Sequence, residues 1–201
     1  MSQPLELPRS IVLVGLMGAG KTCIGRRLAQ RHDLAFRDAD AEVEAAAGRA
    51  IPEIFETYGE GAFRDCERKV IARLLGESPH VLATGGGAFM NAQTRSLIKA
   101  RGISVWLRAD LELLVRRTAR RNNRPLLQGG DPRRILSDLM TERYPVYAEA
   151  DVVVDSLDGP PEHTVDRVQA AVRRFIAEHD PAPPPAAESV AVDAANGRCL
   201  S

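Results

Sequence analysis

The chain has few cysteines, very little lysine and no net charge, and each shortage narrows what it can be. Cys23, Cys66 and Cys199 are the three cysteines in 201 residues. Their number is odd and none forms a Cys-x-x-Cys pair, which argues against a disulfide framework and a zinc site and for reduced thiols in a cytosolic protein. Lys+Arg and Asp+Glu both count 27, for a formal net charge of +0. Such a chain lacks the positive field that a dedicated nucleic-acid binder uses. No apolar run approaches the ~20 residues of a membrane span. Residues 1–8 are polar and proline-bearing, unlike a secretory leader. The expected setting is therefore the cytoplasm, with neither nucleic acid nor membrane as partner. No exposed apolar helix or strand is obvious, so a monomer is expected. Of the 27 basic residues only Lys21, Lys69 and Lys99 are lysine, so a lysine inside a motif stands out.

What the chain does have is a regular alternation. Ser10–Val14, Leu34–Phe36, His80–Ala83, Ile103–Leu107 and Val152–Val154 read as five short strands. Between and after them, apolar spacing and propensity predict helices over 21–32, 41–47, 53–58, 60–75, 92–99, 111–119, 133–148 and 162–178. Pro145 is expected to kink the seventh of these or end its regular part. Arg120–Asp131 is polar and rich in Arg and Asn, and reads as a mobile loop. Strands alternating with helices imply a three-layer α/β/α fold around a five-stranded parallel sheet. Residues 1–179 fit one domain. Residues 180–201, with Pro181 and Pro183–Pro185 among Ala, Ser and Asp, are expected to form a disordered tail. His32, His80, His163 and His179 carry no motif and are expected at the surface or at strand ends; Trp106 is expected in the core.

Gly15-Leu16-Met17-Gly18-Ala19-Gly20-Lys21-Thr22 satisfies G-x-x-x-x-G-K-[ST], with a strand before it and a helix after it. The glycines let successive backbone N–H groups, from Gly18 and Ala19 through Gly20 to Cys23, converge on phosphate oxygens. The helix N-terminus adds partial positive charge at the same point. In such a loop Lys21 reaches the β- and γ-phosphates and the Thr22 hydroxyl ligates Mg²⁺. A dinucleotide fingerprint fails because no third glycine follows Gly20 at the required spacing. The Asn-Lys-x-Asp guanine reader is absent and the chain is short for a mechanical ATPase. A compact chain with a phosphate loop and an Arg-rich mobile loop after the fourth strand suggests a small-molecule kinase.

Three further groups carry polar chemistry. Asp38 and Asp40 follow the second strand, where alternation would put both carboxylates on one side of the chain. Such acids can hold Mg²⁺ through water, accept from a substrate hydroxyl, or simply cap a helix. Arg64 and Glu67, three apart on a helix, share a face, as a surface ion pair or as a ligand-binding pair. Gly85-Gly86-Gly87 follows a strand and allows close approach of a ligand, or makes a plain turn.

Taken in order, these segments resemble the shikimate kinase family. The resemblance rests on the phosphate loop, Asp38-Ala39-Asp40, Gly48–Ile51, Ile54-Phe55, Phe63-Arg64, Gly85–Ala88, Arg124–Leu127 and Arg143-Tyr144-Pro145-Val146-Tyr147, and spans about Ser10–Ala177. It implies transfer of the ATP γ-phosphoryl group to the 3-hydroxyl of shikimate, a step of chorismate and aromatic amino-acid synthesis. It also implies a fold like that of nucleoside monophosphate kinases, with a substrate-binding helical segment about 38–76 and a lid about 119–131. By the resemblance, Asp40 would bind the reacting ring hydroxyls and serve as proton acceptor, and Asp38 would lie in the outer shell of Mg²⁺. Arg64 and Arg143 would bind the shikimate carboxylate, with Gly85, Gly86 and Gly87 beside it. Glu67 would orient Arg64. Arg124 in the lid would close on the transferring phosphate, and Arg117 would lie near the nucleotide. Residues 108–143 carry nine Arg against five acids, an excess that suits a lid over polyphosphate. Gluconate, another polyhydroxy carboxylate, is an alternative acceptor, and a non-catalytic nucleotide-binding protein is an alternative class. Two departures stand out. Cys23 occupies a place where the family more often has Thr, and Ser156–Pro160 lacks an Arg that some relatives place near the adenine.

Overall fold

The structure is a computed structural model, and it describes residues 7–119 and 130–179. Its centre is β1 (Ser10–Val14), whose Ile-Val-Leu-Val run is wholly buried. Each such side chain taken out of water contributes roughly 1.5–3 kcal/mol, so a fully apolar strand belongs in the middle of a sheet covered on both faces. β2 (Phe36–Asp38), β3 (Val81–Ala83), β4 (Gly102–Arg108) and β5 (Val152–Asp155) complete a parallel sheet in the order β2-β3-β1-β4-β5. Ile11 pairs with Val81 on one side and Ile103 on the other. Chain order reverses between β1 and its two neighbours, and ligands bind beyond the carboxyl ends of the strands at such a switch point.

The helices are α1 (Lys21–Arg31), α2 (Ala39–Ala47), α3 (Ile51–Leu74), α4 (Ala92–Arg101), α5 (Leu111–Ala119), α6 (Pro132–Tyr147) and α7 (Pro161–His179). α1 and α7 pack together against the sheet, α4 covers β4 apart from them, and α5 packs on α6. A short 3₁₀ turn, Ala88–Met90, follows the glycine triplet. No helix among the described residues is long and apolar enough to cross a membrane.

Several elements differ from the sequence reading. The second strand is Phe36–Asp38 rather than Leu34–Phe36, because its register is set by pairing with Val81–Ala83 and not by its own apolar pattern. The helices expected over 53–58 and 60–75 run on as α3, which starts at Ile51 with Pro52 in its first turn. The expected break survives inside it as Gly59, at φ 78 and ψ 173. Pro145 does not end α6, which continues to Tyr147. His32 is buried rather than at the surface, held by Gln169 Oε1 at 3.1 Å; His80 stands at a strand end, directly before β3, as expected, and is buried there beside Ser10 Oγ at 3.1 Å. Trp106 lies in the core as expected. Residues 120–129, which include Arg124 and most of the expected lid, lie outside the described residues. So do residues 180–201, the expected tail, with Cys199.

Candidate active site

The loop from β1 into α1 is shaped by its glycines. Gly15, Gly18 and Gly20 have φ of 139, 84 and 99, the region that side chains with a Cβ avoid. A Cβ on Gly15 would also stand 2.8 Å from the Leu107 carbonyl oxygen. Gly20 caps α1 and no side chain does so, leaving the N–H groups of Lys21, Thr22 and Cys23 available to an anion. Lys21 Nζ donates to the carbonyls of Gly15 (2.7 Å) and Leu16 (3.1 Å), bridging the loop at its mouth. Arg117, from α5, closes one wall. It donates to Ser156 Oγ at 2.9 Å, to the Leu157 carbonyl at 2.8 Å and to the Gly18 carbonyl at 3.4 Å. Cys23 Sγ lies 3.2 Å from Arg27 Nη1.

Beside this loop a second group of residues converges from four separate elements. Asp38 ends β2 and caps α2, its Oδ1 accepting from the Asp40 N–H at 3.2 Å. Its Oδ2 accepts from Thr22 Oγ1 at 3.1 Å. Strand alternation is therefore not what brings the two acids together; Asp40 sits in the first helical turn. Capping and facing the phosphate loop are one arrangement here, not rival readings.

The glycine triplet lies among the charges. A Cβ on Gly85 would stand 2.7 Å from Asp40 Oδ1 and 2.9 Å from Glu67 Oε1. On Gly87 it would stand 2.7 Å from Arg64 Cζ, and on Gly86 3.4 Å from Arg143 Nη1 and 3.7 Å from the Gly15 carbonyl oxygen. At Gly85 and Gly87 a Cβ would displace the Asp40, Glu67 and Arg64 side chains from where they stand, whereas at Gly86 it would make ordinary contacts with Arg143 and the phosphate loop. Arg64 Nη1 donates to Glu67 Oε2 at 2.7 Å, and the Glu67 side chain is 3% exposed. The pair is thus not a surface ion pair. Glu67 Oε1 and Arg143 Nε are buried with no hydrogen-bond partner among the described residues. Buried polar atoms ordinarily find partners, and both atoms belong to side chains that line the glycine turn.

Burial, with the Asp38 charge adding to it, holds the Asp40 carboxyl above its ordinary range, and Lys21 opposes the shift. Burial likewise raises Glu67 against the pull of Arg64. A carboxyl held ready to take a proton, next to a phosphate loop, suits deprotonation of a hydroxyl.

Thr22 and Asp38 offer hard oxygen donors within hydrogen-bond reach of each other, a set that suits Mg²⁺. Among the described residues no three His, Cys, Asp or Glu side chains cluster to hold a metal ion.

The structure brings Lys21, Thr22, Asp38, Asp40, Arg64, Arg143 and the Gly85–Gly87 turn together, and sets Arg117 at the phosphate loop. Three residues gained no individual role from the sequence. Phe55 and Phe63 pack with ring centroids 4.6 Å apart and planes tilted by 34°, with Arg64 over the Phe63 ring at 5.0 Å. Tyr147 donates from its hydroxyl to the Gly86 carbonyl. Each lies within a matched motif, but apolar spacing marks Phe63 only as core.

The comparisons agree with this geometry. The shikimate kinase family model matches residues 17–173. A shikimate kinase of Paramagnetospirillum magneticum is 61% identical over 171 residues, 85% of this chain and 88% of the relative. One of Bradyrhizobium diazoefficiens is 53% identical over 184 residues, 92% and 89% of the two chains. The solved structure of shikimate kinase from Acinetobacter baumannii in complex with shikimate superposes with a TM-score of 0.78 at 40% identity, covering 85% of this chain and 94% of that one. A gluconokinase from Sinorhizobium meliloti, at 19% identity and a TM-score of 0.59 over 85% of this chain and 95% of that one, shares the fold alone. By family match, sequence identity over most of both chains and fold, this chain belongs to the shikimate kinase family.

Proposed function

We propose that this chain transfers the γ-phosphoryl group of ATP to the 3-hydroxyl of shikimate, giving shikimate 3-phosphate and ADP. The observation that carries the reading is the convergence of Asp40, Arg64, Glu67 and Arg143 on the Gly85–Gly87 turn, beside the phosphate loop. A carboxylate with vicinal hydroxyls is the complement of two arginines and an acid.

The phosphates lie on the N–H groups of Gly18–Cys23, and Lys21 exchanges its loop carbonyls for β- and γ-phosphate oxygens. Thr22 directly and Asp38 through water would hold Mg²⁺, which neutralises phosphate charge when bound. Arg64, oriented by Glu67, and Arg143 grip the acceptor carboxylate, and Gly86 lies against it. Asp40 orients the acceptor hydroxyl. The hydroxyl oxygen bonds to the γ-phosphorus, the bond from that phosphorus to the β–γ bridging oxygen breaks, and Asp40 takes the hydroxyl proton. Arg117 lies along the nucleotide. Arg124, outside the described residues, would supply positive charge to the transferring group.

The test is ADP release with Mg·ATP and shikimate, gluconate or no acceptor, with Asp40→Asn alongside. Release that requires shikimate and collapses in the variant supports the reading. Release indifferent to shikimate, or driven by gluconate, overturns the acceptor.

A further inference from the structure

We infer that Tyr147 is a positioning residue for the acceptor site: its hydroxyl anchors the Gly86 carbonyl and so holds the Gly85–Gly87 turn against Arg143 and the phosphate loop. The inference rests on the reading of Gly86 and Arg143 given above.

Tyr147 is 0% exposed and is the last residue of α6. It stands four residues after Arg143, so the two share a helix face. Its hydroxyl donates to the Gly86 carbonyl. The Gly86 peptide lies in contact range of both halves of the site. The place a Cβ would take on Gly86 is 3.4 Å from Arg143 Nη1, 3.7 Å from the Gly15 carbonyl oxygen and 3.9 Å from the Met17 nitrogen. Movement of this peptide therefore disturbs both halves of the site.

The Tyr147 ring holds the same segment a second time. Its centroid is 6.4 Å from that of Phe89, in the 3₁₀ turn that directly follows the glycines, and 6.0 Å from that of Trp106 on β4. A tyrosine that only filled the core would need no hydroxyl, and a buried hydroxyl without a partner is costly. The partner here is the backbone of the turn that meets Asp40, Arg64, Glu67 and Arg143. Burial pushes the Tyr147 phenol up to about 12, with the Arg143 charge opposing, so it remains a donor at neutral pH.

The molecule contains its own control. Tyr144, on the same helix and in the same aromatic cluster, also donates its hydroxyl to a backbone carbonyl, that of Ala109. Ala109 lies between β4 and α5, outside the glycine turn. Removing either hydroxyl is the same chemical change made in two places.

The experiment measures kcat and KM for shikimate and for ATP, with melting temperature, on the full-length wild type, Tyr147→Phe and Tyr144→Phe. Tyr147→Phe is expected to raise KM for shikimate by about fivefold to twentyfold, the range that loss of one buried hydrogen bond produces, and to leave KM for ATP within about twofold. Tyr144→Phe is expected to lower the melting temperature to a similar degree and change neither KM by more than about twofold. An unchanged KM for shikimate in Tyr147→Phe, an equal rise for ATP, or the same rise in Tyr144→Phe overturns the inference. Should Tyr147→Phe not fold, Phe89→Leu loosens the ring's hold instead. A rise confined to shikimate then supports the inference, and no rise overturns it. A wild type whose ADP release ignores shikimate overturns the underlying reading together with the inference. A shikimate-dependent wild type beside an unaffected Tyr147→Phe overturns the inference alone.

Discussion

The nucleotide side and the acceptor side of the site are made of different material. Around the phosphates the chain presents backbone: the N–H groups of one uninterrupted loop, shaped by Gly15, Gly18 and Gly20, with Lys21 and Thr22 as its acting side chains. Around the acceptor it presents side chains, carried in by α2, α3 and α6 and packed against a backbone stripped of Cβ atoms. A loop built of N–H groups tolerates variation in its side chains, and Cys23 is such a variation. A pocket built of guanidiniums and carboxyls does not, because each charge is half of a pair or faces a ligand charge. The difference extends to stability. Asp40 and Glu67 are held as carboxyls in surroundings that resist their ionisation, and the fold tolerates that conflict where the chemistry uses it.

The comparison can be tested from its largest expected effect downward. Lys21→Ala removes the charge that the phosphate loop itself aims at the transferring group, and kcat should fall about a thousandfold, read from ADP release at saturating substrates. A small loss would mean that backbone alone carries that side.

Asp40→Asn should lower kcat about a hundredfold and yet raise the melting temperature near neutral pH by about 2–4 °C, as ~1 kcal/mol would in a domain of this size. The sign follows from linkage. The raised carboxyl binds its proton more readily folded than unfolded, so its contribution to stability falls as pH rises from the ordinary carboxylate range through its raised value. The stabilisation by Asn should therefore fade in melts taken below about pH 4, where the wild-type carboxyl is protonated in both states. A variant that melts lower than wild type at neutral pH would show Asp40 to be structurally satisfied rather than held ready.

Cys23→Thr should change least. Restoring a hydroxyl at the phosphate loop should lower KM for ATP by about threefold, since one added hydrogen bond is worth ~0.5–1.5 kcal/mol net, and should leave KM for shikimate alone. A tenfold effect would mean that the loop depends on its side chains more than its geometry suggests.

The same contrast decides what could be read from the chain. The phosphate loop is a contiguous motif between an apolar run and a helix, so position, chemistry and fold context are all local. The acceptor site is assembled by the topology. Asp40, Arg64, Gly86 and Arg143 are far apart in sequence, and without the family resemblance Arg64 with Glu67 read as well as a surface pair. Physics local to the chain also misplaced β2, a three-residue strand whose register depends on β3. It missed the burial of His32, because the partner that holds it, Gln169, lies 137 residues away. Pro145 read as a kink or as the end of regular helix because its cost to a helix is local, whereas α6 carries on to bury Tyr147.

The most direct test of the division is calorimetric titration of Arg143→Ala with shikimate and, separately, with Mg·ATP. The account predicts that shikimate affinity falls about a hundredfold, the usual scale for removing one partner of a buried charge pair, while nucleotide affinity stays within about twofold of wild type. Equal losses for the two ligands would contradict it, and would show the two sides of the site to be one structure rather than two.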